Sequence, residues 1–398
     1  MTSTKRVSIV GAGLGGLVAA LALIKKGFDV TVFEQAAQLG EIGAGIQLAP
    51  NAMKVLMRLG LEKEVIDVAF QPEAHVVRNG ITGHVTANTP MKGVYHDQFG
   101  AGYYTFHRAD LHNVLVDAMP AERIKLNVKC TGVRQSGDVA ILDFSDGTQV
   151  ESDVVIGADG IHSVIRESLF GPNAPRFTGV VCWRGLVPAE SVSPELVSQD
   201  MTAWFGPRST IVTYYVRGGK LVNWAAFFEQ DWREESWKIE GDKQEVLQTY
   251  AKWDPRINQL VNKTDKLYKW AVFDREPLPQ WTVGRVTLLG DSAHPMLPYL
   301  AQGACMAIED GYALALALER ESSNLPRALQ TYEAERRPRT ARVQLASRAR
   351  ARINHLESPL ATLRRDIGYS IKKFFNPGKH TYGVEWIYGH DVTGQNSN

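Results

Sequence analysis

At 398 residues the chain is longer than a single hydrophobic core usually supports, so its length predicts two closely associated domains. Its 44 Lys and Arg nearly cancel its 43 Asp and Glu, which excludes the global field that draws nucleic acid or an anionic membrane and leaves a small molecule as the expected partner. The scattered Cys130, Cys182 and Cys305 exclude a disulfide framework and a paired zinc site, and without a secretory h-region or a membrane-spanning apolar run the reading is a cytoplasmic protein with no metal.

Residues Arg6 to Val10 read as a buried strand, followed by Gly11-Ala-Gly13-Leu-Gly15-Gly16, a helix-compatible run from Leu17 to Lys26 that Gly27 stops, and a second strand from Asp29 to Phe33 ending at Glu34. This is a βαβ unit of the dinucleotide-binding kind, and the context makes the glycine spacing specific. Gly11 permits the tight turn, Gly13 lets backbone approach a pyrophosphate, and Gly16 lets helix and strand pack closely; Glu34 is placed to hold ribose hydroxyls.

Two later segments, Asp153-Val-Val-Ile-Gly157-Ala-Asp159-Gly160 and Arg285-Val-Thr-Leu-Leu-Gly290-Asp291-Ser-Ala-His294-Pro295, are apolar strands running into Gly/Asp turns. Such runs suit buried parallel strands, whose carboxyl ends carry ligands in open α/β sheets, so one site is expected from three distant pieces. Between them, residues 177–273 are rich in Trp, Tyr, Thr and Val and alternate over Thr210 to Val216 and Lys220 to Phe227, joined by Arg217-Gly218-Gly219. That predicts an antiparallel sheet able to roof a cofactor and line a substrate cavity. Gly303 to Glu319 reads as a helix whose amino end faces Asp291, reached through a loop stiffened by Pro295 and Pro298. Beyond Leu325 the pattern is helical, with a break or restart at Pro338; its run of Arg336, Arg337, Arg339, Arg342, Arg348, Arg350 and Arg352 reads as a solvated face, and residues 393–398 as a frayed end.

Taken together, the glycine turn, His107-Arg108-Ala-Asp110-Leu111, Asp159-Gly160, and Gly290-Asp291-Ser-Ala-His294-Pro295 with Gln302-Gly303-Ala304 resemble the group A flavoprotein monooxygenases, the para-hydroxybenzoate hydroxylase-like proteins. Within that group the likeness is to the salicylate hydroxylase, hydroxybenzoate hydroxylase and 6-hydroxynicotinate monooxygenase branch, over nearly the whole chain. The resemblance implies an α/β fold: a Rossmann-like FAD-binding domain (1–176, with a small substrate-side insert around 70–105, and 274–320), an antiparallel substrate domain (177–273) and a helical region (321–398).

It also implies tightly bound FAD, held by Gly11, Gly13, Gly15, Gly16, Glu34, Arg108, Cys130 (through backbone), Asp159, Asp291, Gly303 and Ala304, with NADH or NADPH docking transiently. Backbone amides at Gly303 and Ala304 would stabilise the anionic reduced flavin. The implied reaction hydroxylates a small aromatic acid or hydroxypyridine with O2 through a flavin hydroperoxide, in a monomer or homodimer. Relatives place a histidine in the strand 207–215 or at position 47, whereas this chain has Thr210 and Gln47; Tyr214 matches a family active-site tyrosine and is expected, with Gln47, to orient the substrate hydroxyl. Arg184 and Arg217 are candidate partners of a substrate carboxylate, and His294 is expected to be structural. The competing readings are a nicotinamide-dependent dehydrogenase, an enzyme that reduces or epoxidises an alkene, and a flavin-binding redox sensor.

Overall fold

The computed structural model describes residues 4–40, 44–236, 238–358, 360–365, 367–368 and 383–394; most of the expected frayed end, 395–398, lies outside them. Five parallel strands form the first layer, in the order Val286–Leu288, Val154–Gly157, Arg6–Val10, Asp29–Phe33, Ile124–Lys125. Their apolar β-branched side chains are buried, with Val7, Ile9, Val154, Val155, Ile156 and Val286 at 0–1% exposure, as strands covered on both faces require. The first helix, Leu14–Lys25, starts three residues earlier than the sequence reading placed it, because Gly13 is its N-cap and Gly15 and Gly16 belong to its first turn. A Cβ on Gly311 would come within 2.7 Å of the Ala19 backbone nitrogen, so small residues let the helices Leu14–Lys25 and Gly303–Arg320 pack nearly backbone to backbone.

A seven-stranded sheet forms the second layer. Its order is Leu267–Asp274, Arg176–Pro188, Leu221–Glu229, Ser209–Val216, Met201–Gly206, Ala74–Asn79, Val85–Pro90. The predicted hairpin around Arg217-Gly218-Gly219 is present, with Tyr214 opposite Asn223, and the sheet recruits the strands Ala74–Asn79 and Val85–Pro90 from the early insert, the former pairing in parallel with Met201–Gly206. Helices Lys243–Thr249 and Pro255–Asn262, not anticipated in this segment, are capped by Asp242 and Asp254. They cover the outer face through a cluster containing Trp183, Trp204, Trp224, Tyr250 and Trp253. These aromatics are core and leave the other face of the sheet to the cavity.

Two expectations about the arginine-rich tail are corrected. Leu325–Asn354 is one continuous helix of 30 residues with Pro338 inside it, although proline in a helix interior costs about 3 kcal/mol. Side chains on both sides of Pro338 are pinned: buried Arg336 donates to Glu309 at 2.6 Å and Asp310 at 2.7 Å, and Arg339 makes two bonds of 2.8 Å to Glu309. Nor is the arginine run one solvated face: Arg342, 3.8 Å from the centre of the Trp386 ring, and Arg352 are exposed, but Arg336 is buried, Arg348 pairs with Asp274 and Glu276, and Arg350 lines the cavity. Among the described residues no helix is long and apolar enough to cross a membrane, and no His/Cys/Asp/Glu group could hold a metal.

Removing one member of a buried ion pair strands its partner, which typically costs about 3–5 kcal/mol. Arg336→Met is therefore expected to lower the urea midpoint by that order, read by tryptophan fluorescence, and an unchanged midpoint would refute the cluster's role. Burial alone would raise the Glu309 carboxyl, but Arg336 and Arg339 outweigh it and hold the group at about 2. A depressed carboxyl stabilises the fold above its ordinary value of 4.5 and loses that contribution as pH falls toward about 2. The stability difference between wild type and Glu309→Gln should accordingly shrink across that window, and a pH-independent difference would contradict it.

Candidate active site

The three Gly/Asp loops leave adjacent parallel strands at their carboxyl ends and open into one cavity of about 710 Å³ that runs from the glycine turn to the large sheet. Of the residues singled out from the sequence, Gly13, Gly15, Gly16, Arg108, Asp291, Gly303, Ala304, Gln47 and Tyr214 line it. Gly11, Glu34, Cys130 and Asp159 are absent from its wall. Gly11 stands at φ +107° against the Ala158 carbonyl, and a Cβ on Gly16 would strike the Gly11 carbonyl oxygen, so both serve the turn's own geometry. Gly15 is a packing position as well, since a Cβ there would meet Leu289 at 2.6 Å and Ala307 at 2.9 Å.

Glu34 accepts from the Ala12 amide at 2.9 Å and the Ala36 amide at 2.8 Å, which ties the second strand's end to the glycine turn. Asp159 turns inward: its carboxylate accepts from Ser163 Oγ at 2.5 Å, the Val164 amide at 2.8 Å, the Ile165 amide at 3.2 Å and Ser292 Oγ at 3.1 Å, capping the helix Val164–Phe170. The Cys130 thiol is buried and pushed up to about 11 by that burial.

The cofactor half of the cavity has the donors a dinucleotide needs. Nothing lies within 4 Å of where a Gly13 Cβ would project, and the helix Leu14–Lys25 behind it has neither a side-chain cap nor an acidic residue in its first turn. The helix Gly303–Arg320 likewise begins without a side-chain cap or an acidic first turn. Two uncapped helix amino ends directed at one space form an anion site for which backbone alone suffices. Gln302, fully buried, adds an amide nitrogen without a protein partner. Asp291 is accessible to the cavity yet sunk in the protein, and that burial raises its carboxyl above the ordinary range.

The substrate half is built on the large sheet. Its register places Tyr214 opposite Asn223, Met201 opposite His75 and His75 opposite Thr89, while the Thr202–Thr213 pair sets Met201 beside Tyr214. All five face the cavity in one row across the strands. The next row, Ala225, Val212, Ala203, Val77 and Ala87, is small and apolar, a floor on which a flat ring can lie. Tyr103 donates to Gln47 Oε1 at 2.6 Å. Burial pushes the Tyr214 hydroxyl up to about 12, against a hydrogen bond from Gln47 that favours the phenolate. Thr210 lines the wall, and Arg217 is committed to Asp110 at 2.7 and 2.8 Å, away from the cavity.

A match to the FAD binding domain family spans residues 4–347. The chain belongs to the FAD-dependent aromatic monooxygenases. It is 37% identical over 363 residues to 6-hydroxynicotinate 3-monooxygenase of Pseudomonas fluorescens, covering 90% of this chain and 94% of that protein. It is also 37% identical over 392 residues to 3-hydroxybenzoate 6-hydroxylase of Polaromonas naphthalenivorans, covering 97% and 96%. A salicylate hydroxylase–substrate complex superposes with a TM-score of 0.83 at 26% identity over 98% of this chain and 97% of that one. Klebsiella pneumoniae HpxO, complexed with FAD and uric acid, superposes at 0.85 with 25% identity over 96% and 97%. The uncapped amino ends and open glycine turn of this monooxygenase fit FAD, its cofactor.

Sequence reasoning missed His75, Asn223 and Arg350. Asn223 accepts the Gly45 amide at 2.9 Å through Oδ1 while its amide nitrogen has no protein partner. A histidine, an asparagine and an arginine outside the recognised motifs give no local sign of converging; only inward alternation along the strands hints at the first two.

Since a Gly13 Cβ meets no protein atom and alanine tolerates the φ of −72° there, Gly13→Ala should keep the apoprotein's melting temperature but lose most bound flavin on purification. Gly16→Ala should lose stability as well. Full flavin content in Gly13→Ala would exclude a phosphate at that turn.

Proposed function

We propose that this monooxygenase hydroxylates a small electron-rich aromatic acid, of the hydroxybenzoate or hydroxypyridine-carboxylate class, with NAD(P)H and O2. The observation that carries the reading is the pairing of a polar row containing Tyr214 with a row of small apolar side chains, a floor shaped for one substituted ring. The similarity to 6-hydroxynicotinate 3-monooxygenase and 3-hydroxybenzoate 6-hydroxylase supports the same substrate class.

FAD would be held by the backbone of Gly13, Gly303 and Ala304, with Arg108 and Asp291 at the cavity wall, Glu34 toward the ribose end and Gly11, Gly15, Gly16, Cys130 and Asp159 shaping the supports. Bound there, it supplies electron transfer from NAD(P)H and activation of O2. The protein groups then act on the ring. With its hydroxyl held up to about 12, Tyr214 stays protonated at working pH and serves as a donor rather than a base. Gln47 accepts from Tyr103 and donates to the Tyr214 oxygen, which leaves the Tyr214 proton for the substrate oxygen and strengthens that donation. A donor fixed at the ring oxygen stabilises negative charge as the phenol ionises, the state in which the ring is most nucleophilic. Thr210 and Gln47, which do not titrate near neutrality, leave this side of the cavity to hydrogen bonding.

The test is NAD(P)H oxidation by the flavin-loaded protein against hydroxybenzoates, anthranilates and hydroxypyridines, with product and peroxide quantified together. Stimulated oxidation with hydroxylated product is expected, whereas no stimulation by any of them would refute the reading and favour a flavin-binding sensor. Tyr214→Phe should retain FAD but lower coupled hydroxylation by about tenfold or more, the size expected for one hydrogen bond to a charged oxygen; unchanged coupling would remove Tyr214 from the mechanism.

A further inference from the structure

The part of the cavity bounded by the large sheet carries charge of one sign. Among the described lining residues the acidic ones are Asp291, in the cofactor half, and Glu235, which pairs with His162 at 2.9 Å on the exposed rim. The cations beside the sheet are Arg184 and Arg350. Arg184 comes from the strand Arg176–Pro188 and lies 4.3 Å from the centre of the Trp270 ring, toward one edge of the sheet. Arg350 comes from the long helix Leu325–Asn354, and its charge bears on His75 and on Tyr388. His75 stands in the same row as Tyr214, two strands away, a separation of roughly 9–10 Å between backbones.

We infer that Arg350, together with His75 of the same cavity wall, receives the ring carboxylate of the substrate while Tyr214 holds the ring hydroxyl at the other end of the polar row. The inference rests on the aromatic-hydroxylase reading and adds which end of the cavity takes which substituent. Among the described lining residues the sheet end of the cavity carries cations and no carboxylate, and a low-polarity cavity so lined favours an anionic ligand. Guanidinium donates two parallel bonds to a carboxylate, and the imidazole supplies a third donor without adding charge. Burial first, and then the Arg350 charge, keep His75 near 4 and therefore neutral at physiological pH. Met201 lies between His75 and Tyr214 in the row, and Val77, Ala203 and Val212 form the floor alongside it. The ring would rest over these side chains with its two polar groups pointing opposite ways. Tyr388, from the helix Glu385–Tyr388, and Tyr95 close the space near Arg350 with aromatic surface. Arg184 is the competing cation, but it continues the small apolar row instead, opposite Ala225.

The test uses the FAD-loaded protein and flavin absorbance to titrate 3-hydroxybenzoate against 3-hydroxybenzamide, which keeps the hydroxyl but removes the charge, with 6-hydroxynicotinate as a second acid. Arg350→Gln is expected to raise Kd for the acids by about tenfold to a hundredfold, the scale of a lost charge-assisted contact, and to leave the amide little changed. His75→Gln should shift the same ratio in the same direction by less, and Arg350→Lys should recover part of the loss. Arg184→Gln should leave the ratio at the wild-type value. Equal weakening of acid and amide by Arg350→Gln, no weakening, or transfer of the selective loss to Arg184→Gln would each overturn the inference. If Arg350→Gln fails to hold FAD, His75→Gln and Arg350→Lys decide the same ratio. Wild-type protein whose flavin responds to no aromatic in the proposed-substrate panel would instead overturn the hydroxylase reading on which the inference rests.

Discussion

Everything at the cofactor end hangs on one buried ionic cluster. Asp310, fully buried, accepts from Arg336 at 2.7 Å, from the Gly290 amide at 3.2 Å and from His294 at 2.5 Å, and so clamps the loop that carries Asp291 from both sides. Its neighbour Glu309 accepts from Asn51, Arg336 and Arg339. Arg339 in turn donates to the carbonyls of Trp386 and Ile387 at 3.1 Å. Three segments distant in sequence thus meet on two adjacent acids of one helix, and a fourth, at Trp386 and Ile387, is tied on through Arg339. Buried charges tolerate little misplacement, because each unpaired one carries a desolvation cost of several kcal/mol, so the cluster fixes register as well as holding the fold. The amino end of the Gly303–Arg320 helix, which opens on the cavity, is positioned by its own second turn.

That arrangement lets the cofactor half rely on backbone. Two helix amino ends and a glycine turn provide partial positive charge without side chains that would have to be ordered on binding. The cost appears in composition: Gly11, Gly16 and Gly311 each sit where a Cβ would collide with backbone. In the substrate half the division of labour is reversed. Strand pleating places alternate side chains on the cavity face and the tryptophan-rich core on the other, so specificity resides in a few side chains within a small-residue floor. Tyr103, Gln47 and Tyr214 share one hydrogen-bonded line in which the Gln47 amide accepts at one end and donates at the other.

The legible part of this protein was the part encoded by local chain geometry. Gly11 and Gly16 between two apolar strands announce a tight turn because a Cβ at either would strike backbone, Gly13 leaves that turn open to a ligand, and Tyr214 was found through its match to a family active-site tyrosine. The FAD fold and the position of the Asp291 turn followed from the same motifs. Glu34 and Asp159 were found with those motifs and Cys130 through the family resemblance, but sequence alone did not show that each is engaged by neighbouring backbone or buried behind the wall.

The first βαβ unit, its glycine turn and the hairpin at Arg217-Gly218-Gly219 could be read directly from the residues, since each depends on interactions between residues close along the chain, and the class of cofactor came with the family resemblance. The remainder depended on long-range packing. Pro338 lies within an unbroken helix because Arg336 and Arg339 are anchored by Glu309 and Asp310, some 26–30 residues away. Arginines that look like a solvated stripe divide between a buried cluster, surface pairs and the cavity wall according to which partners the fold presents. His75 joins Tyr214 because the Ala74–Asn79 strand crosses to a sheet made from residues more than a hundred positions later. Local pattern carries backbone conformation, but the pairing of charges and the lining of a cavity are set by which distant segments are brought within a few ångströms.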